Sequence, residues 1–166
     1  REEAENIENI INTRIKEAMR KTGVIRQTEI HSLAEVPAGT GLGSSSSFTV
    51  GLLNLLYASK GKFTSKEQLA RDACEIEIDI LKEPIGKQDQ YAASFGGMNF
   101  IKFNSNGSVE IEPIIISHET LKKINERVVL FYLGKPRETE DVLKDQNSNV
   151  NSNEEKFLAM KRIKEI

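Results

Sequence analysis

The amino-terminal part of the chain changes from a helical spacing of apolar positions to an alternating one. Between residues 7 and 18 the positions of one face recur three and four residues apart, which predicts an amphipathic helix. The members of this stripe are Ile7, Ile10, Ile11, Arg14, Ile15 and Ala18. Gly23 is expected to end the helix, because glycine readily adopts the positive φ found just past a last turn. Residues 27–36 then alternate between two faces, which predicts a half-buried strand that Pro37 ends.

Two further helices are predicted in the middle of the chain. Residues 48–57 are apolar on nearly every side, so we expect a buried helix there. Thr64 opens a capping sequence in which its side chain would cap the next helix, and Glu67, three residues on, would bond back to it. Pro84 lies beyond the end of this second helix. The inner face of the second helix is expected at Leu69, Ala73, Ile76 and Ile80.

The carboxyl-terminal half of the chain alternates between strand and helix signals. Residues 97–103 and 108–116 predict a strand pair around the Asn-Ser-Asn-Gly sequence at 104–107, which is a strong turn signal. Residues 128–133 are wholly apolar, which predicts a short buried strand. A polar, Asn-rich loop is expected over 138–152, with a further helix after it.

Composition and charge narrow the class of protein. Of the 166 residues, 38% are hydrophobic and 29% are charged, which is the balance of a globular chain with one sizeable core. The net charge of −2, with Lys and Arg spread along the chain, argues against a nucleic-acid or membrane partner. Cys74 is the single cysteine, so no intramolecular disulfide is expected, and with no secretory leader a cytoplasmic location is predicted. The chain starts without Met and stops inside a helical pattern, so we expect a fragment.

The stretch from Pro37 to Ser47 carries the most specific chemistry. It contains three Gly, four Ser and one Thr in eleven residues, and it leads straight into the predicted buried helix. Glycines let backbone N–H groups converge on phosphate oxygens, a helix amino terminus adds unpaired N–H groups, and Ser hydroxyls can bind phosphate or Mg²⁺. The spacing is neither that of a Walker A loop nor that of a dinucleotide fingerprint. A flexible Gly/Ser linker is the alternative, which the buried helix directly behind the stretch disfavours.

Two acidic residues are candidates for the chemistry. Glu77 lies at the edge of the apolar stripe of its helix, whereas Glu75 lies on the solvent face. An inward carboxylate is costly unless it pairs with a cation or a metal, so Glu77 is the better candidate for a metal ligand. The alternative is a boundary residue that reaches solvent or pairs with a Lys. Asp89 lies in a Gly-flanked loop behind this helix, where an Asp is commonly a turn former or a cap.

Two motifs resemble those of the GHMP kinase superfamily. The sequence Pro-x-Gly-x-Gly-Leu-Gly-Ser-Ser-Ser, which starts at Pro37, is similar to the central ATP-binding motif of these kinases. Gly-x-x-Asp-Gln, which contains Asp89 and stands ahead of a Gly-Gly strand, resembles the galactokinase-type catalytic segment, and its distance along the chain from Glu77 suits that type. The resemblance implies an α+β fold, the GHMP kinase N-terminal domain (ribosomal protein S5 domain 2-like), with a mixed sheet packed by helices. It implies this domain over 1–152, with its amino-terminal part missing, and the start of a GHMP C-terminal domain over 153–166.

The same resemblance implies roles for individual residues, with ATP and Mg²⁺ as cofactors. Ser45 and Glu77 would hold Mg²⁺. Asp89 would orient the attacking sugar hydroxyl, and its part as a base stays open because some relatives work without one. The ATP phosphates would be wrapped by Pro37, Gly39, Thr40, Gly41, Leu42, Gly43, Ser44, Ser45 and Ser46.

Within the superfamily the chain resembles most the D-glycero-D-manno-heptose 7-phosphate kinase group, through residues 77–78, 83–93 and 95–100. The implied enzyme is a sugar kinase that uses ATP to phosphorylate the anomeric hydroxyl of D-glycero-D-manno-heptose 7-phosphate, in nucleotide-heptose biosynthesis. Its expected partner is thus a small-molecule sugar phosphate. Lys87, Lys135 and Arg137 are candidates for contacts with that phosphate, although a solvated surface charge is the commoner role for such residues.

Several alternatives stay open at the level of the sequence. The enzyme could be another GHMP small-molecule kinase, of the galactokinase or fucokinase type, or the chain could be a non-catalytic nucleotide-binding relative or a plain structural domain. The family's Arg- and Gly-rich N-terminal substrate motif and its C-terminal glycine-rich motif are not in this sequence. The fragment alone is therefore expected to bind nucleotide weakly and to lack activity. A homodimer is also left open.

Overall fold

The computed structural model describes residues 2–24, 28–36, 40–131 and 154–163. The helices in these ranges are α1 (Thr13–Thr22), α2 (Ser44–Ser59), α3 (Lys66–Cys74), α4 (Gln88–Phe95), α5 (His118–Arg127) and α6 (Glu154–Ile163). The strands are β1 (Asn99–Phe103) and β2 (Val109–Pro113), and the shorter elements are a 3-10 turn at Ile7–Asn9 and a π-helical segment at Glu75–Ile80. None of the described helices has the length and apolar content that a membrane span requires.

The first helix begins later than the apolar stripe predicts. Asn12 caps α1, because its side chain accepts a hydrogen bond from the Ile15 N–H at 3.1 Å, and the helix starts at Thr13. Ile7, in the preceding 3-10 turn, still packs against the core although it lies outside the helix. Gly23 follows the last turn with φ +70°, which confirms the predicted end.

Helix α2 is the centre of the core. It packs against α1, α3 and α4, because its apolar side chains leave the axis in several directions. The prediction of a buried helix is confirmed with two differences: the helix begins earlier, at Ser44, and Leu55 on its outer side is exposed. The buried apolar residues of this core are Ala18, Met19, Val50, Leu52, Leu53, Leu56, Tyr57, Leu69, Ala73 and Ile76.

Ser65, and not Thr64, caps α3. The Ser65 side chain accepts a hydrogen bond from the Gln68 N–H at 3.2 Å, and its backbone is extended, as an N-cap requires. The prediction of Thr64 as the cap is therefore wrong by one residue, because the helix starts one residue later than expected. Glu67 pairs with Arg71, at 2.7 Å, on the exposed side of the same helix.

The π-helical segment Glu75–Ile80 changes which residues face the core. In its wider turn the Leu81 N–H donates to the Ile76 carbonyl at 2.9 Å, five residues earlier. Ile76 and Glu77 are both fully buried, while Ile80 is 44% exposed. The predicted inner face is thus confirmed as far as Ile76 and wrong at Ile80, because the extra residue in the turn rotates Ile80 outward.

Strands β1 and β2 form the predicted antiparallel pair. Their register joins Asn99 to Pro113 at one end and Phe103 to Val109 at the other. Gly107 takes φ +84° in the turn between them, which an Asn-Gly sequence favours. Together with the helices, this pair makes the fold α+β, as predicted. Within the described residues the sheet has two antiparallel strands, in place of the larger mixed arrangement that was expected.

Two segments that were expected to be strands belong to no sheet within the described part of the chain. Residues 28–36 have no ladder partner there, and Leu33 is 99% exposed. Residues 128–131 are likewise irregular, and Leu130 and Phe131 are exposed. Both strand predictions are wrong for these residues, because an apolar pattern supplies the side chains of a strand but not the neighbouring backbone that completes its hydrogen bonds.

The last part of the chain is described as α6 alone. This helix confirms the one predicted after the polar loop, whereas the loop itself, over 138–152, lies outside the described residues. The division into one domain over 1–152 and the start of a second over 153–166 stays a prediction.

Candidate functional site

The candidate phosphate-binding turn lies where the chain enters α2. Gly41 and Gly43 take φ of +75° and +66°, a conformation that residues with a Cβ rarely adopt. Gly43 is the N-cap of α2 and makes no side-chain hydrogen bond, so it leaves the first N–H groups of the helix uncovered. Thr40 and Leu42 lie in the same bend, with half of Leu42 exposed. Outside the described residues lie Pro37 and Gly39.

Asp89 lies directly against this turn. It belongs to the first turn of α4, and a Cβ placed on Gly43 would come within 3.1 Å of the Asp89 carboxylate carbon and 3.2 Å of one carboxylate oxygen. The side chain is exposed, and no hydrogen bond or ion pair from the described residues holds its carboxylate. The structure therefore brings the end of the glycine turn together with the acidic residue expected to meet the acceptor.

Glu77 is fully buried between α1, α2 and α4. Its Oε2 atom accepts hydrogen bonds from Ser46 Oγ at 2.8 Å and from Gln90 Nε2 at 2.5 Å. Its Oε1 atom accepts from Thr49 Oγ1 at 2.7 Å and from Arg14 Nε at 3.4 Å. The predicted inward orientation of Glu77 is confirmed, and its charged partner is an arginine instead of the lysine considered as an alternative.

Of the two residues predicted to hold Mg²⁺, Glu77 is fully buried and Ser45 is exposed. Ser46, which is 1% exposed, contacts Glu77, whereas Ser45 is exposed. Because α2 starts at Ser44, Ser46 and Thr49 lie three residues apart on the face toward Glu77. The four donors around Glu77 fill the roughly four acceptor positions of a carboxylate. Binding of Mg²⁺ by Ser45 and Glu77 stays a prediction.

The candidates for contact with a sugar phosphate fall partly outside the described residues. Lys87 is exposed at the start of α4, and its Nζ donates to the Gly107 carbonyl in the hairpin turn at 3.4 Å. Lys135 and Arg137 lie beyond the ranges that the structure describes. A role for Lys87 and Arg137 in binding substrate stays a prediction.

Three partners of Glu77 were not predicted, and two of them, Arg14 and Thr49, carried a signal in the sequence. Arg14 is a charged member of the apolar stripe of α1, where a charge needs a partner. Thr49 is a polar residue inside the buried run of α2. Gln90, which follows Asp89 directly, carried no such signal, because its full burial follows from the packing of α4.

A second buried carboxylate lies at the other end of α2. Asp72, on α3, is 2% exposed and accepts hydrogen bonds from Tyr57 Oη and Gln68 Nε2, both at 2.8 Å. Lys21 Nζ lies 3.2 Å from the same carboxylate. Burial, and then the hydrogen bond to Asp72, raises the pKa of Tyr57 to about 12. The phenol is therefore neutral at physiological pH and serves as a donor.

Comparison with known proteins decides the family. Residues 9–97, more than half of the chain, match the family described as GHMP kinases N terminal domain. The chain belongs to this family. The matched range of this GHMP kinase domain contains the glycine turn, Glu77 and Asp89.

Two similar proteins of known sequence are sugar kinases by name. The chain is 33% identical, over 136 residues, to D-glycero-alpha-D-manno-heptose 7-phosphate kinase of Campylobacter jejuni. The matched region covers 82% of this chain and 40% of that protein. It is 28% identical, over 142 residues, to the bifunctional fucokinase/GDP-fucose pyrophosphorylase of Arabidopsis thaliana. This second match covers 78% of this chain and 13% of that protein.

A solved structure supports the same fold. The crystal structure of a D-glycero-D-manno-heptose 1-phosphate kinase from Bacteriodes thetaiotaomicron matches with a TM-score of 0.58 and 31% identity, over 67% of this chain and 38% of that one. The GHMP kinase N-terminal fold is therefore confirmed. The chain spans well under half the length of each of these relatives.

Proposed function

We propose that this chain supplies the nucleotide-binding part of a kinase that transfers the γ-phosphoryl group of ATP to the anomeric hydroxyl of D-glycero-D-manno-heptose 7-phosphate. The observation that carries the proposal is how near Asp89 lies to Gly43: a Cβ placed on Gly43 would come within 3.1 Å of the Asp89 carboxylate carbon, so the carboxylate lies beside a helix terminus suited to phosphates. A kinase needs these two features side by side, because the acceptor hydroxyl must approach the γ-phosphorus in line with the leaving oxygen.

The start of α2 would bind the phosphates of ATP. Backbone N–H groups after Gly43, the hydroxyls of Ser44 and Ser45, and the positive end of the helix dipole would meet the phosphate oxygens. Ser46 would contribute its backbone N–H, because its hydroxyl donates to Glu77. The remaining members of the proposed ATP site are Pro37, Gly39, Thr40, Gly41 and Leu42.

Asp89 would orient the acceptor hydroxyl. In the transfer, the sugar oxygen forms a bond to the γ-phosphorus, the bond from that phosphorus to the bridging oxygen breaks, and ADP leaves. The hydroxyl proton passes to Asp89 or to solvent. Because no side chain in the described ranges bonds to the Asp89 carboxylate, both of its oxygens are open to the incoming hydroxyl.

Mg²⁺ would be held by Ser45 and Glu77 at the start of α2. Hydroxyl and carboxylate oxygens are the ligands that this ion prefers, and the bound ion would neutralise charge on the phosphates. Glu77 accepts four hydrogen bonds in this structure, of which the one from Arg14, at 3.4 Å, is the longest, so Glu77 would have to give up one of them to act as a ligand.

The choice of sugar rests on the two heptose phosphate kinases among the relatives. Lys87 and Arg137 are the proposed contacts for the phosphate that the sugar already carries. A kinase of another sugar is the second candidate, which the similarity to a fucokinase favours. Non-catalytic nucleotide binding, a cytoplasmic location and a homodimer remain predictions with no further support.

The test uses the complete protein that carries this chain. Release of ADP is measured with Mg-ATP and, in turn, heptose 7-phosphate, fucose, galactose, mannose and mevalonate. We expect release with heptose 7-phosphate alone, and Asp89→Asn is expected to lower kcat by at least about 100-fold, because the amide carries no negative charge and cannot take the hydroxyl proton. Release with another sugar would support the kinase assignment and overturn heptose 7-phosphate as the substrate. No release with any acceptor, together with no thermal stabilisation by Mg-ATP, would overturn the kinase assignment itself.

A further inference from the structure

Gln90 is the residue after Asp89, and its side chain is fully buried. Its Nε2 donates to Glu77 Oε2 at 2.5 Å, while its Oε1 is buried without a hydrogen-bond partner among the described residues. Turning the amide round would place Oε1 against the carboxylate, so the contact with Glu77 fixes the orientation of the side chain. The hydrogen bond to Glu77 is therefore the interaction that fixes the Gln90 side chain within the described residues.

A single oxygen atom joins the two halves of the candidate site. Glu77 Oε2 accepts from Ser46, in the first turn of α2, and from Gln90, in the first turn of α4. The first of these turns follows the glycine turn, and the second carries Asp89. The distance between the phosphate-binding turn and the acidic side chain is thus set through this oxygen.

Asp89 cannot hold this position by itself. No described side chain bonds to its carboxylate, which lies beside Gly43 without a hydrogen bond to it. The place of the carboxylate therefore follows from the backbone of its own turn. On the other side of that turn, Tyr91 packs against Phe95 and Phe103, and its hydroxyl interacts with Arg71 of α3. These contacts tie the turn to the hairpin and to α3, and not to the start of α2.

We propose that Gln90 is a positioning residue for phosphoryl transfer, which holds Asp89 against the glycine turn through Glu77. This inference rests on the proposed kinase function. Loss of the Gln90 hydrogen bond leaves ATP binding at the start of α2 in place, since Ser46 keeps its own bond to Glu77. Without this hydrogen bond the turn that carries Asp89 is free to move away from the glycine turn. This movement reduces the rate of the chemical step and not the affinity for nucleotide.

The test compares Gln90→Met with the wild type in the complete protein, because methionine has a similar length and cannot donate. We expect kcat to fall by between about tenfold and 100-fold, while KM for ATP changes by less than about twofold. In the Asp89→Asn background the same substitution is expected to have no further effect, because Gln90 acts only through Asp89. Gln90→Asn, which keeps the amide but cannot reach Glu77, replaces Gln90→Met if the latter fails to fold.

Tyr57→Phe is the matched control, since it removes a buried hydrogen bond to Asp72 at the far end of α2. It should lower the melting temperature about as much as Gln90→Met and leave kcat unchanged. An unchanged kcat in Gln90→Met, a kcat loss that multiplies with that of Asp89→Asn, or an equal kcat loss in Tyr57→Phe would overturn the proposal.

A crystal structure of Gln90→Met separates this inference from the proposed function. If the wild type is no kinase, the structure still decides whether the Asp89 carboxylate has moved away from Gly43. An unmoved carboxylate would overturn the positioning role whatever the activity, and a moved one would support it even if the kinase assignment fails.

Discussion

Helix α2 is held at its two ends by two buried carboxylates that use the same chemistry. At the amino-terminal end, Glu77 accepts hydrogen bonds from Ser46 and Thr49 of α2. At the carboxyl-terminal end, Asp72 accepts one from Tyr57 of the same helix. Each carboxylate also contacts one cationic side chain from α1. Both networks tie α2 to its neighbours and offset the cost of burying a charge.

The two networks differ in what else they reach. Glu77 also accepts a hydrogen bond from Gln90 of α4, one residue from Asp89. Asp72 also accepts a hydrogen bond from the side-chain amide of Gln68, which lies one turn earlier in the same helix, α3. One network therefore extends into the candidate catalytic turn, and the other closes within the core. Similar interactions stabilise both ends of α2, and location alone distinguishes the network that reaches the candidate site.

The largest expected difference between the two networks comes from neutralising each carboxylate in turn. Glu77→Gln replaces one acceptor oxygen by a donor amide that faces existing donors. We expect it to lower the free energy of unfolding by about 1–3 kcal/mol and kcat by more than about tenfold. Asp72→Asn should cost a similar amount of stability, because it also meets a donor at each oxygen.

Urea unfolding and steady-state kinetics on both variants check this pair of expectations. For Asp72→Asn we expect kcat within about twofold of the wild type, because its network does not reach the start of α4. Equal losses of kcat in the two variants would show that stability alone limits the rate, and the distinction between the two ends of α2 would fall.

A smaller effect is expected from adding one methyl group to the glycine turn. Gly43→Ala forces a Cβ into a backbone with φ +66° and to within 3.1 Å of Asp89. We expect a stability loss of about 1–2 kcal/mol from the backbone, and a fall in kcat because Asp89 must move. Gly61→Ala is the control, since Gly61 has φ +68° and no atom within 4 Å of the added Cβ. If both variants lose kcat equally, the contact with Asp89 has no part in catalysis.

The smallest effect is expected at alkaline pH and concerns the Asp72 end alone. The pKa of Tyr57 is raised to about 12 by burial and by its bond to Asp72, whereas an unfolded tyrosine titrates near 10. The unfolded state therefore loses its proton first, and the stability that the neutral phenol contributes is complete below about pH 10 and lost as the pH rises toward 12. Thermal melts at about pH 9 and 11.5 should show a smaller drop for Tyr57→Phe than for the wild type. Equal drops would contradict the raised pKa of Tyr57.

Local patterns were enough to predict the parts of the fold that are completed by near neighbours. The hairpin around Gly107 follows from its turn residues, and the end of α1 follows from Gly23. Residues 28–36 and 128–131 carry strand patterns of equal quality. A strand, however, needs hydrogen bonds from another segment, and no pattern within it supplies that segment.

The residues of the candidate site also separate into those that a local pattern predicts and those that depend on packing between elements. The inward position of Glu77 could be predicted, because it depends on the phase of one helix relative to its own apolar stripe. Which serine meets Glu77 was not predicted, because the helix was expected to begin after the serine run. The observed helix starts at Ser44, and its inward face of Thr49, Val50 and Leu53 then extends back to Ser46. Gln90 needed the packing of α4, which no local pattern describes.

The wide turn at Glu75–Ile80 limits where this chain can gain or lose residues. Deleting one residue there would let the helix close with ordinary α-helical hydrogen bonds, and the residues beyond the deletion would rotate by about 100° relative to those before it. Glu77 could then no longer meet Ser46 and Gln90 at one atom. Length differences among homologous chains should therefore be rare in this segment and concentrate at exposed turns such as the one around Gly107.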